Sequence, residues 1–191
     1  MAKINSSFKN MVLSLTLISL GASVALGFVH EFTKEPIELS KQNKKIEAIK
    51  KVVPEFTNDP ADEMYKLPSE WGDSLEVYPA KRDNELVGYG IKAYSQKGYS
   101  GRITLVVGFK PEGTIYNITV LEQKETPGLG TKMVLPEFKD QFNDKNPDSF
   151  ILKVKKDGGE VDAITAATIS SRAFCDAVQN AYSTLKKGDL K

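Results

Sequence analysis

From Asn10 to Val29 the chain runs through twenty residues without a charge, NMVLSLTLISLGASVALGFV. Coiled as an α-helix at about 1.5 Å per residue, such a run spans about 30 Å, the thickness of a bilayer's hydrocarbon core. No polar face interrupts it, which argues against a buried globular helix. Lys3 and Lys9 precede the run, and His30, Glu31, Lys34 and Glu35 follow it. This charge pattern predicts a cytoplasmic N-terminus, with the rest of the chain on the outer side of the membrane. Ser23-Val24-Ala25 has the small residues of a signal-cleavage site. The run continues to Val29, which is long for a signal core and favours a retained single-pass anchor. Both readings put residues 31–191 outside.

Residues 34–53 read as a helix with Leu39, Ile46, Ile49 and Val53 on one face, ended by Pro54. Residues 55–73, with Pro60, Pro68 and Gly72, carry no clear element. Leu75, Val77 and Tyr78 then mark a strand, Lys81–Asn84 a polar turn, and residues 86–94 the returning strand of a hairpin. Residues 103–109 are a third strand, Pro111-Glu112-Gly113 a tight turn, and residues 115–121 a fourth strand with Ile115 and the odd-numbered positions on one face. A short helix is expected around Pro136–Phe142, a strand over 150–154 and a turn at Asp157-Gly158-Gly159. The closing helix covers 170–186, with Phe174, Ala177, Val178, Ala181, Tyr182 and Leu185 as its apolar stripe. The predicted fold class is α+β: an N-terminal transmembrane helix, then one domain with a mostly antiparallel sheet and packed helices. The divisions are 1–9, a cytoplasmic N-terminus; 10–29, the transmembrane helix; 30–73, a helical linker and irregular segment; and 74–191, the extracytoplasmic domain.

Composition narrows the chemistry. Formal net charge is +1, so bulk electrostatics point to no nucleic-acid partner. With one cysteine, Cys175, neither an internal disulfide nor a cluster held by several cysteines can form within the chain. One histidine, His30, argues against histidine-rich zinc sites and a Ser-His-Asp triad. Cys175 falls at a core position of the last helix and reads as a small buried apolar residue.

Two segments depart from what packing alone selects. Glu125-Thr126-Pro127-Gly128-Leu129-Gly130 combines a fixed φ at Pro127 with two permissive glycines. It is either a plain connection or a loop that lays its amides against a flat ligand. Its glycines do not form a dinucleotide fingerprint, because the third position is Met133. The second segment, Asp162 to Ser171, sets hydroxyls and small side chains just ahead of a helix. There a hydroxyl can cap the helix, contact a phosphate or carry one covalently.

Together these segments resemble the FMN-binding domain family shared by the G subunit of the Rnf electron-transport complex and the C subunit of the sodium-pumping NADH:quinone reductase. That family carries Asp-x-x-Ser/Thr-Gly-Ala-Thr, and Asp162, Thr165, Ala167 and Thr168 match it, with Ala166 where glycine is usual. The family's ETPGLG stands here unchanged, and Gly98-Tyr99-Ser100-Gly101 is similar to its central sheet. The resemblance implies FMN esterified through its phosphate to Thr168. It implies further contacts from Glu125, Thr126, Pro127, Gly128, Leu129, Gly130, Thr165, Ala166 and Ala167, and recognition of Asp162 by a separate flavin transferase. The short chain is more like the Rnf protein. The implied role is a covalent-FMN electron carrier, inactive alone. Its partners are the other subunits of a membrane complex that couples electron flow between ferredoxin and NAD to Na⁺ or H⁺ movement. The alternatives are the quinone-reductase C subunit, a membrane sensor of the same domain family, and an anchored structural module without a cofactor.

Overall fold

The computed structural model describes residues 7–188, so Lys3 and most of the expected cytoplasmic segment lie outside it. The chain divides into two compact units, one ending at Asn43 and the other running Lys44–Lys191.

Helix α1 is Phe8–Val52, 45 residues, and includes Pro36. It was expected as two helices, 10–29 and 34–53. Residues 30–35 contain no glycine or proline to break it, and Pro36, which brings no N–H to the ladder, lies within the continuous helix. An 18-residue window in α1 has mean hydropathy 2.1 and is apolar enough to cross a membrane. Within the apolar stretch the hydroxyls of Thr16 and Ser23 donate to the carbonyls four residues back, at 2.9 and 2.8 Å. Bonds of this kind keep polar groups satisfied where no water is at hand.

The second unit is built on a five-stranded antiparallel sheet in the order β1-β2-β3-β4-β5. The strands are β1 Tyr65–Pro68, β2 Ser74–Arg82, β3 Glu85–Gly98, β4 Gly101–Phe109 and β5 Ile115–Glu122. Strand β1 lies in the stretch expected to be irregular. Four residues ending in proline leave little periodicity to read, and proline is tolerated there because β1 is an edge strand. Asp83 and Asn84 turn β2 into β3, both at positive φ (51° and 68°), as a type I′ hairpin requires.

The β5 face pattern differs from strict odd-numbered alternation. Gly108 pairs with Asn117 and Phe109 with Ile115, so Tyr116 is an extra residue and the parity flips. Ile115, Ile118 and Val120 consequently share the main core, while Leu121 packs on the opposite side. No strand forms over 150–154: Val154 makes only an isolated bridge to Val161. The backbone there bonds locally instead, with Ile151 N–H on the Glu160 carboxylate at 2.7 Å.

Helix α2 is Pro136–Lys139, followed by a single 3-10 turn, Asp140–Phe142. Helix α3 is Thr168–Gly188, and all six residues of its expected stripe are buried. One sheet face and α3 enclose the main core around Ile91, Leu105, Phe109, Phe142 and Phe174. The other face receives the last turns of α1 through Ala48, Ile49 and Val52, with Val53 just beyond the helix, set against Tyr78, Ala80 and Val106. The expected stripe there was shifted: Leu39 and Ile46 are exposed. Gly108 permits the contact, since a Cβ at that position would sit 1.5 Å from the Val52 carbonyl oxygen.

Candidate functional site

Two tight turns border one cleft. In Thr126-Pro127-Gly128-Leu129 the Leu129 N–H donates to the Thr126 carbonyl at 3.1 Å, and Gly128 has φ of 75°. In Ile164-Thr165-Ala166-Ala167 the Ala167 N–H donates to the Ile164 carbonyl at 2.9 Å, and Ala166 has φ of 61°. A left-handed third residue closed by this bond marks a type II turn, which favours glycine there. Gly128 meets the requirement without strain. Ala166 meets it at a steric cost, and the geometry explains the glycine usual at this position in the family pattern the segment resembles.

The cleft has a volume of about 530 Å³, within the range of small-molecule sites. Thr126, Leu129 and Gly130 contribute from the first turn and the segment after it, and Ala166, Ala167 and Thr168 from the second. Pro127, Gly128 and Thr165 are not among its lining residues; they shape or flank the turns. Glu125, an expected contact, also lines the cleft, and Tyr99, Ile169 and Ser170, which were not singled out from the sequence as contacts, complete the wall. Tyr99 sits at the β3–β4 hairpin tip, so its family-like GYSG segment was the signal that could have placed it. Tyr99, Leu129 and Ile169 are 69%, 39% and 47% exposed, leaving apolar surface open to a ligand.

Thr168 is the first residue of α3. The opening amides of a helix have no intrahelical acceptor and, with the helix dipole, favour an anion. Neither the Thr168 nor the Ser170 hydroxyl caps the helix. Ser170 donates instead to Glu125 Oε2 at 2.6 Å, and Thr168 follows the Ala167 cap position. Ser171, fully buried, accepts the Ile164 N–H at 2.9 Å and donates to the Ala167 carbonyl at 3.0 Å, bracing the turn that leads into Thr168.

Asp162 lies apart from this cleft. It is exposed, pairs with Lys155 at 2.7 Å and borders a smaller hollow of about 380 Å³ with Phe138, Gln141 and Thr165. Gln141 holds its backbone from both sides, accepting its N–H at 2.8 Å and donating to its carbonyl at 3.2 Å. A larger hollow of about 670 Å³ is lined by Phe150, Ile151, Cys175 and Arg172 among others, and neither motif reaches it. Size therefore does not identify the site. Convergence of the two motifs on one helix start makes this cleft the candidate.

The cleft's residues fit a flat phosphate-bearing cofactor. Apolar side chains stand beside the helix start, and Gly130 keeps the floor clear: a Cβ there would lie 2.6 Å from Ser170 Oγ. Among the described residues no lysine or arginine lines it, so the helix amides are the charge complement for a phosphate. The described residues hold no group of three or more His, Cys, Asp or Glu able to bind a metal.

Residues 98–183 match the family model of the FMN-binding domain. Over 190 residues the chain is 34% identical to the G subunit of the Na⁺-translocating ferredoxin:NAD⁺ oxidoreductase complex of Acetobacterium woodii, covering 92% of this chain and 91% of that protein. It is 34% identical over 183 residues to the G subunit of the ion-translocating oxidoreductase complex of Pseudoalteromonas atlantica, covering 89% and 83%. Among solved structures, the C subunit of the Na⁺-translocating NADH-quinone reductase from Parabacteroides distasonis superposes with a TM-score of 0.50 at 26% identity. That match covers 60% of this chain and 62% of the other.

Proposed function

The chain belongs to the G-subunit family of ion-translocating oxidoreductase complexes, and we propose that it is the covalent-FMN electron carrier of such a complex, with the flavin phosphate esterified to Thr168. The observation that carries this reading is the position of Thr168: it opens α3 and lines the cleft that the ETPGLG turn walls from the other side. Bound there, FMN supplies the redox chemistry. The protein's residues hold it. The amides opening α3 face the phosphate charge, Ala166 and Ala167 leave room beside the ester, and Leu129, Ile169 and Tyr99 offer apolar surface to the ring.

Helix α1 anchors the chain as a single span with its N-terminus in the cytoplasm and the residues from 31 onward outside. The FMN-binding domain proper covers 74–191, and the 30–73 segment that joins it to the span adds the end of α1 and strand β1 to its sheet. A flavin transferase, reading Asp162 on the exposed side of the acceptor segment, attaches the cofactor, since this chain has no nucleotide loop to carry out that transfer itself. A covalent link prevents loss of the flavin on the outer side. The quinone-reductase C subunit is the second reading, favoured by its structural likeness at 26% identity; the relatives matched over nine-tenths of the chain outweigh it.

Intact-mass measurement of the protein from cells that contain the transferase tests the proposal. The expected mass increase is one FMN less one water, with a fluorescent band after denaturing electrophoresis that disappears in Thr168→Ala. An unmodified native chain would refute the covalent carrier, and the identity of co-purifying subunits separates the two complexes.

A further inference from the structure

Glu125 is a buried acid on the wall of the cleft, 4% exposed. Ser100, at the tip of the β3–β4 hairpin, donates its N–H to Oε1 at 3.0 Å. Ser170, in the first turn of α3, donates its hydroxyl to Oε2 at 2.6 Å. The backbone of Glu125 leads directly into the Thr126–Leu129 turn. One side chain thus joins hairpin, loop and helix. Its neighbours leave space for it: a Cβ on Gly98 would stand 2.8 Å from Oε1, and one on Gly130 would stand 2.8 Å from Oε2.

Geometry alone does not call for an acid here. A glutamine has the same shape; its carbonyl would accept from Ser100 and its amide would donate to the Ser170 oxygen. An ionised carboxylate brings in addition a charge that is costly to bury without a cation, and none lines this cleft among the described residues. Stability does not account for that extra charge, which stands beside the proposed flavin.

We propose that Glu125 is a positioning residue that holds the three walls of the cleft together and, as a fixed negative charge beside the flavin, keeps its reduction potential low. This rests on the flavin occupying the cleft as proposed above. An electron reaching the flavin from a donor protein of the complex adds negative charge near the carboxylate and leaves again to an acceptor protein. Glu125 itself exchanges no electron and no bond. Away from bulk water the repulsion between the two charges is stronger than in solvent, so the reduced flavin is disfavoured.

The full-length chain, loaded by co-expression with a flavin transferase and purified in detergent, provides the test. Glu125→Gln retains both contacts and removes the charge. In a spectroelectrochemical titration its midpoint is expected to move to a more positive potential. At the wild-type midpoint, its ratio of oxidised to reduced flavin should fall at least fivefold. Glu125→Ala removes both contacts, and its flavin attachment is expected to slow at least tenfold, while the glutamine variant stays within threefold of wild type. An unchanged or more negative midpoint in the glutamine variant overturns the charge role even where the alanine variant fails to fold. Wild-type loading in the alanine variant, with an unchanged melting temperature, overturns the positioning role. Wild-type protein that carries no flavin at all would instead overturn the function on which the inference rests.

Discussion

The Ser171 hydroxyl reaches back seven residues to take the Ile164 N–H at 2.9 Å, inside a region where both residues are buried. It returns its own proton to the Ala167 carbonyl. Ser171→Ala leaves the Ile164 amide without this acceptor, and an unsatisfied buried group costs about 1–3 kcal/mol. Thermal unfolding of the full-length chain in detergent should show a lower midpoint temperature. A melting temperature equal to wild type would mean that the turn is held by other contacts.

Ala166 sits at φ of 61°. A non-glycine residue in the left-handed region costs about 1–2 kcal/mol, while glycine loses more backbone entropy on folding, about 0.5–1 kcal/mol. Ala166→Gly is therefore expected to stabilise the chain by about 0.5–1 kcal/mol, and Ala166→Val to destabilise it, since β-branched residues are poorly suited to positive φ. Denaturant midpoints of the two variants, moving in opposite directions from wild type, check both.

Long-period features were legible in the sequence. The apolar run, the β2–β3 hairpin and the α3 stripe each rest on a signal spread over many residues, though the turn expected over Lys81–Asn84 is only Asp83-Asn84, with Lys81 and Arg82 in β2. What escaped was set by tertiary context. Strand β1 is too short to show a period, and its pairing with β2 comes from the partner strand. The extra Tyr116 reversed the faces of β5 through register rather than composition. Residues 150–154 are apolar enough for a strand, yet local bonds to the 158–161 loop take their backbone groups. At the site, the two motif loops could be paired only by resemblance, because 31 residues separate Gly130 from Asp162. Ser170 and Ser171 sat inside the quoted segment, but their bonds to Glu125 and Ile164 depend on α3 packing against the loops.

Cys175 is 2% exposed, and burial pushes its thiol up to about 12. The reactive thiolate is scarce at any pH below that value. At about pH 8 a disulfide reagent such as Ellman's should release no chromophore from the native chain. One equivalent should appear after denaturation, the count of cysteines in the sequence. Rapid labelling of native protein would show that the helix opens around this residue.

Arg172 grips Asp157 through two bonds, Nε to Oδ2 and Nη2 to Oδ1, both 2.7 Å, and so fastens the first turns of α3 to the loop ahead of the acceptor segment. The Arg172 hydrogen bonds hold the Asp157 carboxyl below its ordinary value of 3.8. Because the folded-state value is the lower one, the pair's contribution is present above the ordinary carboxylate range and is lost as pH falls through the folded value. Both groups are solvent-accessible, which keeps the effect modest and sensitive to salt. Asp157→Asn should lower the melting temperature at neutral pH, and the gap from wild type should close at acid pH, once pH has fallen through the lowered folded-state value and the wild-type carboxylate is itself protonated. A gap that persists undiminished at that pH would assign the difference to packing of the loop rather than to the ion pair.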